Sequence, residues 1–229
     1  YFAVEHRGLS VARNTGAAAA TGEILVYTDD DCIAEPDWLQ WIAELFSDDP
    51  KIGAVGGPNI PPSAETAAQA RVAAAPGGPA HVLLSDTRAE HLPGCNLAVR
   101  KSVFEEIGGI NPVFRSAGDD VDLCWRILAA GYELGFHPAA FVWHHRRFSY
   151  AAYFRQQMGY GRAEALLMPI HRERFRGAGG AIWRGQVYTS GGNRGGAFVY
   201  HGHHGYEPFQ LVYPERESGL SEALLHVLW

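Results

Sequence analysis

Three carboxylates stand in a row, Asp29, Asp30 and Asp31, at the end of the apolar run Ile24-Leu25-Val26-Tyr27-Thr28. Adjacent acids repel one another unless a cation or a network of donors offsets their charge. Oxygen-rich groups of this kind suit Mg2+ or Mn2+, usually with a substrate phosphate completing the shell. The competing account is an acidic loop that caps the next helix. Arg13, close in sequence, offers a guanidinium that could hold a phosphate or a nucleotide base. Its alternative is a surface arginine that snorkels over apolar neighbours. A third chemistry-bearing run, His201-Gly202-His203-His204, reads either as a metal site or as an exposed histidine cluster.

These side chains need elements to position them. The run ending at Thr28 has the β-branched, apolar character of a buried strand, which puts the acids just beyond its carboxyl end. That edge is where open α/β sheets bind ligands. A helix is expected over residues 9–20 with Ser10 as cap, and another after Pro36, with Trp38, Trp41, Ile42 and Leu45 on one face. Ile52–Val55 reads as a strand broken by Gly56-Gly57-Pro58, and 59–90 as a partly helical excursion. Leu97–Val99 is a short strand candidate. Ser102 and Glu105 have the spacing of a capping box. Val121, Trp125 and Leu128 share the face of a helix that starts near Asp119 and stops at Gly131. Residues 132–143 read as strand and loop, and 149–167 as an amphipathic helix. Strands alternating with helices predict an α/β sheet. Residues 176–206, rich in glycine and aromatics, are expected to be irregular.

The 229 residues suffice for one domain with a sizeable core. A net charge of −6, from 19 basic and 25 acidic residues, gives no support for a nucleic-acid partner. The three cysteines, Cys32, Cys95 and Cys124, are far apart and lack a Cys-x-x-Cys spacing. Neither a disulfide framework nor a zinc site is expected from that pattern, and a reducing compartment fits it. No apolar run approaches the ~18 residues of a membrane span.

Ser10-Val11-Ala12-Arg13-Asn14-Thr15-Gly16, Thr21-Gly22, the apolar strand and Asp29-x-Asp31 together resemble the pattern of the family 2 glycosyltransferases. The resemblance runs from about Gly8 to Leu167 and more weakly to Tyr213. It implies a GT-A fold: a Rossmann-like mixed sheet flanked by helices, here over residues 1–170, with 171–229 as a C-terminal extension. It also implies an inverting transfer of a sugar from a nucleotide-diphospho-sugar donor to a glycan or lipid-linked acceptor, with Mn2+ or Mg2+. Asp29 and Asp31 would hold the metal, Asp29 and Asp30 would lie at the donor, and Arg13 would help bind it. Asp120, second acid of Asp119-Asp120-x-Asp122-Leu123-x-x-Arg126, inherits the role of base, and Asp119 stands where the family usually has Glu. Acids at a helix start also stabilise it through caps and the macrodipole, which accounts for one or two of the three without catalysis.

His144, in Trp143-His144-His145, matches a histidine that ligates the metal in several family members. A neutral imidazole suits Mn2+ better than Mg2+, and the alternative is a buried, hydrogen-bonded histidine. Asn96, Asp119 and Gln157 are placed on the acceptor side, although Gln157 could equally decorate a helix. Gln157-x-x-x-x-Arg162 lacks the spacing and the tryptophan of processive relatives. About fifty residues of the family pattern, a first strand and an acid that reads the base, are expected upstream of Tyr1, so the donor pocket is expected to be incomplete here. A cytoplasmic location is expected, with any membrane association supplied by segments outside this chain. Two rivals remain open at this point, a metal-dependent nucleotidyltransferase and a non-catalytic carbohydrate-binding module.

Overall fold

The computed structural model describes residues 2–73, 80–145, 149–176 and 180–189, and two strands at 198–200 and 210–212. Helix α1 spans Leu9–Ala19, and the apolar run after it forms β1, Ile24–Thr28. A tight turn leads to β2, Cys32–Ala34, then to α2, Trp38–Asp48, and β3, Ile52–Gly56. Among its described residues, the excursion expected over 59–90 holds one short helix, α3 (Ala67–Ala73), and three strands: β4 (Asn59–Ile60), β5 (Ala80–Leu83) and β6 (Arg88–His91). Strand β7, Asn96–Arg100, runs straight into α4, Lys101–Glu106. Then come α5 (Asp119–Ala129), β8 (Glu133–Phe136), β9 (Val142–His144) and α6 (Tyr150–Ile170). Strands β10 (Gln186–Thr189), β11 (Phe198–Tyr200) and β12 (Gln210–Val212) complete the description. None of the described helices is long and apolar enough to cross a membrane.

Seven strands form one mixed sheet in the order β1-β7-β3-β8-β6-β5-β10. Strands β3 and β8 are parallel, and β7 runs antiparallel to both β1 and β3. The carboxyl ends of β1, β3 and β8 therefore share one edge with the start of β7, where Thr28 lies opposite Asn96. A smaller sheet, β2-β9-β4, stands beside that edge. Side chains alternate across the large sheet as the period of a strand requires. Leu25, Leu97 and Val99 meet α1, α4 and α5 on one face through Ala17, Phe104, Leu123 and Ile127. Ala98, Ile52 and Val55 meet α2 on the other through Trp38, Ile42 and Phe46.

Several local expectations change. Ser10 does not cap α1; its hydroxyl donates to the Phe114 carbonyl, inside the core. The capping box does not form, because α4 starts at Lys101 directly after β7 and Ser102 is already inside the helix. Ser149 does cap α6, accepting from the Ala152 N–H at 3.1 Å. The sheet also continues past the expected boundary at residue 170, since β10 pairs antiparallel with β5. Residues after Ile170 are anchored there by the buried Glu90. Its carboxylate accepts from Arg174 at 2.8 Å, from the Arg184 N–H at 2.6 Å and from the Gly185 N–H at 2.9 Å. Trp125 packs against His171, Phe175 and Trp183 in the same region. The histidine run 201–204 lies outside the described residues.

The Gly56-Gly57 pair is more than a strand break. The chain leading into β9 passes so close that a Cβ on Gly57 would overlap the Ala140 carbonyl. Gly57→Ala is expected to lower stability by about 1–3 kcal/mol, the usual range for overpacking. A urea midpoint unchanged from that of the wild-type chain would show that the approach is looser than this.

Candidate active site

The acids are brought together by a turn and a strand pair. The Cys32 N–H donates to the Asp29 carbonyl at 3.1 Å, which folds residues 29–32 back on themselves. Strand β2 then pairs with β9 so that Cys32 lies opposite His144. The His145 N–H donates to the Asp31 carbonyl at 2.8 Å and fixes this junction. As a result, ligand atoms of Asp29, Asp31 and His144 all lie within 4.8 Å of one another. His144 Nε2 is 3.3 Å from Asp31 Oδ1. Two carboxylates and an imidazole are a donor set that fits Mn2+, which accepts oxygen and nitrogen alike. Asp30 is exposed at the turn.

The second acidic set arrives at the start of α5. Gly118, with φ of 83°, takes the left-handed conformation that lets the chain enter this helix. Asp119 is almost wholly buried and accepts from Arg13 Nη1 at 2.6 Å. The same guanidinium donates to Asp29 at 3.0 Å and to the Gly94 carbonyl at 3.2 Å. Arg13 therefore clamps the end of β1 to the start of α5. Three of its N–H groups are taken by Asp119, the half-exposed Asp29 and the Gly94 carbonyl, which gives it a positioning role in this arrangement. Asp119 is corrected: its carboxylate faces Arg13 and is not free to meet an acceptor.

Asp120 keeps part of its side chain open, 23 % exposed. Its Oδ2 accepts the Gly94 N–H at 2.9 Å, its Oδ1 accepts the Val121 N–H at 2.9 Å, and His91 Nε2 stands 3.8 Å away. Burial opposes its charge, but His91, the Gly94 N–H and Arg13 outweigh that and hold Asp120 below the usual carboxylate range. Burial and the neighbouring Asp120 push Asp119 up to about 6, against the pull of Arg13. The two adjacent carboxylates thus differ in basicity: burial and a neighbouring charge prevail over Arg13 at Asp119, whereas donors prevail over burial at Asp120. Asp122 turns away. It is fully buried, held by Arg126 Nε at 2.8 Å and His171 Nε2 at 2.8 Å, and ties α5 to the chain after α6.

Asn96 is a correction. It was placed at the acceptor, yet it is 0 % exposed. Its amide donates to the Pro58 and Ala140 carbonyls at 3.0 and 2.8 Å, and its carbonyl accepts from Trp38 Nε1 at 2.9 Å. A side chain so fully used brackets the core and has no group left for a sugar. Gln157 lies half-buried in α6, while the contacts joining the acids run through Arg13, Gly94 and His144. The loop before β7 does serve the site, but through its backbone. Gly94 gives its N–H to Asp120 and its carbonyl to Arg13, and a Cβ there would lie 2.6 Å from Arg13 Nη1. His91 escaped the sequence reading because nothing marked β6 as a strand. An open groove of about 550 Å³ between α1 and β1 runs past Arg13 to Asp29 and Asp30.

Residues 2–159 match the family model described as Glycosyltransferase like family 2. The chain belongs to that family. Among its family 2 relatives, the pre-mycofactocin glycosyltransferase of Mycobacterium tuberculosis is 29% identical over 73% of the chain and 36% of that protein. The glucosyl-dolichyl phosphate glucuronosyltransferase of Haloferax volcanii is 28% identical over 66% of the chain and 51% of that protein. The chain thus spans between about a third and a half of the length of these curated relatives. The mannosyltransferase PcManGT of Pyrobaculum calidifontis, solved in complex with GDP-Man and Mn2+, matches 72% of the chain with a TM-score of 0.54 at 23% identity, over 45% of that protein. The family 2 chain has the GT-A fold, as the likeness of its mixed sheet and flanking helices to that structure shows.

Proposed function

We propose that this family 2 chain transfers a sugar, with inversion, from a nucleotide-diphosphate donor to an acceptor hydroxyl. The observation that carries the reading is the convergence of two differently built acidic sets on one sheet edge. Asp29, Asp31 and His144 form a cation-binding group, and Asp120 stands across the Arg13–Gly94 bridge from them. A divalent cation held by Asp29, Asp31 and His144 would supply Lewis-acid stabilisation of the diphosphate leaving group. Arg13 fixes Asp29 relative to α5, so the two acidic sets keep their spacing. Asp120, ionised and partly open, accepts the proton of the acceptor hydroxyl as its oxygen attacks the anomeric carbon. The groove along β1 gives a donor its approach. PcManGT carries GDP-Man and Mn2+ on the same fold, which supports a donor and a metal of this class. The acceptor, by the same family reading, is a glycan or a lipid-linked sugar.

Two measurements test this. Calorimetric titration of Mn2+ should show binding to the wild-type chain and none to Asp31→Ala; binding unchanged in that variant would remove the metal assignment. Incubation with UDP- and GDP-sugars should release nucleoside diphosphate. A nucleotidyltransferase would instead release pyrophosphate from a nucleoside triphosphate and a sugar 1-phosphate; that release, with no nucleoside diphosphate formed from the nucleotide-sugars, would overturn the proposal.

A further inference from the structure

His144 belongs to two groups at once. Besides Asp29 and Asp31, it has ligand atoms within 4.8 Å of the thiols of Cys32 and Cys95, which also lie within that distance of each other. Both cysteines are free thiols. Cys95 and His144 are buried and Cys32 is half-buried, so the cluster is walled on one side and reachable on the other. The arrangement comes from the same β2–β9 pairing that builds the acid group, with Cys95 brought in by the loop before β7. Their separation along the chain hid it, since neither cysteine belongs to a Cys-x-x-Cys pair.

From this we infer a second cation site, formed by Cys32, Cys95 and His144, that takes thiophilic ions such as Zn2+ or Cd2+. Tetrahedral coordination with metal–sulfur bonds of about 2.3 Å places two thiolates about 3.8 Å apart, inside the observed spread. Three protein ligands leave one position open to water. Thiolates select Zn2+ and softer ions, whereas carboxylates suit Mg2+ and Mn2+. Because one imidazole serves both groups, a soft ion on the thiols withdraws His144 from Asp29 and Asp31. On the catalytic reading given above, on which this consequence alone rests, Zn2+ then acts as an inhibitor that competes with Mn2+ for a ligand rather than for a position.

The test uses the reduced wild-type chain titrated with Co2+ and Cd2+ and followed by ultraviolet absorption. Thiolate-to-metal charge-transfer bands should grow and saturate at one equivalent. Cys95→Ser should weaken Cd2+ binding by at least about 100-fold, the upper end of what losing even an outer-shell partner costs. Cys32→Ser, at the half-buried position, should do the same and serves if the buried substitution fails to fold. Mn2+ binding, read from the spin resonance of the free ion, should persist in both variants and should fall in the wild type as Cd2+ is added. Absence of a charge-transfer band, or a band unchanged in Cys32→Ser, would overturn the thiol site. Loss of Mn2+ binding in Asp31→Ala is read separately, so failure of the thiol site and failure of the catalytic-metal reading give different results. Mn2+ and Cd2+ occupying the wild type together, with no mutual displacement, would overturn the sharing of His144.

Discussion

Asp120→Asn is expected to lower turnover by about 10²–10⁴-fold while leaving donor affinity largely intact, the signature of a lost general base. The substitution keeps the size of the side chain and its acceptor oxygen, so Gly94 can still be held by one hydrogen bond. What it removes is the lone pair that takes the acceptor proton. Steady-state release of nucleoside diphosphate from a UDP- or GDP-sugar, with kcat and KM separated, measures this. Turnover within a few-fold of wild type would refute the role. Asp122→Asn is the informative comparison, because Asp122 is buried against Arg126 and His171 and should act through stability instead.

The second large effect is expected from Arg13→Met. Removing one member of a buried ion pair costs about 3–5 kcal/mol, because the partner remains as an uncompensated charge. Asp119, with 3% of its side chain exposed and Asp120 beside it, would be left in that state. Part of the cost is relieved by protonation, since burial already pushes Asp119 up to about 6 and the loss of Arg13 removes the main opposing charge. The denaturant midpoint should therefore fall substantially at pH 8 and less at pH 5. The sign follows from linkage: an acid whose folded pKa is raised loses stability as pH rises through that value. Adding Asp119→Asn to Arg13→Met should recover much of the loss at pH 8, giving a coupling energy in a double-mutant cycle. Equal midpoints for wild type and Arg13→Met at pH 8 would mean that the clamp carries no stability.

The sequence disclosed the parts of the site that are local. An apolar strand ending in acids, and a helix opened by acids, are both readable from a few adjacent residues, and β1 and α5 form at those positions. What stayed hidden depends on residues far apart. Strand β6, Arg88-Ala89-Glu90-His91, looks polar, yet it is largely buried because the partners of Glu90 come from Arg174, Arg184 and Gly185. No periodicity marks a strand whose inward charges are neutralised from 84 to 95 positions away. Asn96 misled for a related reason. The family resemblance places it beside an acceptor, and only the fold shows three groups waiting for its amide. Arg13 stood out as a guanidinium near the acids, but its tie to Asp119, 106 positions away, is visible only in the fold.

Glu90 also dictates an order of events during synthesis. It leaves the ribosome 94 residues before Arg184, whose N–H it will accept, and β5 waits longer still for β10. Until then a buried-type carboxylate and an open strand edge face solvent or chaperone. Pairings of such long range are slow to close, and partly formed sheets are prone to associate with one another. The nascent chain can assemble the β1-β7-β3-β8 half, with the acids and α5, as soon as residue 144 has emerged. The far half of the sheet remains unfinished until the segment after α6 returns across it. Chains stalled or cleaved between those two points would carry every residue of the candidate active site on a sheet that lacks its last strand.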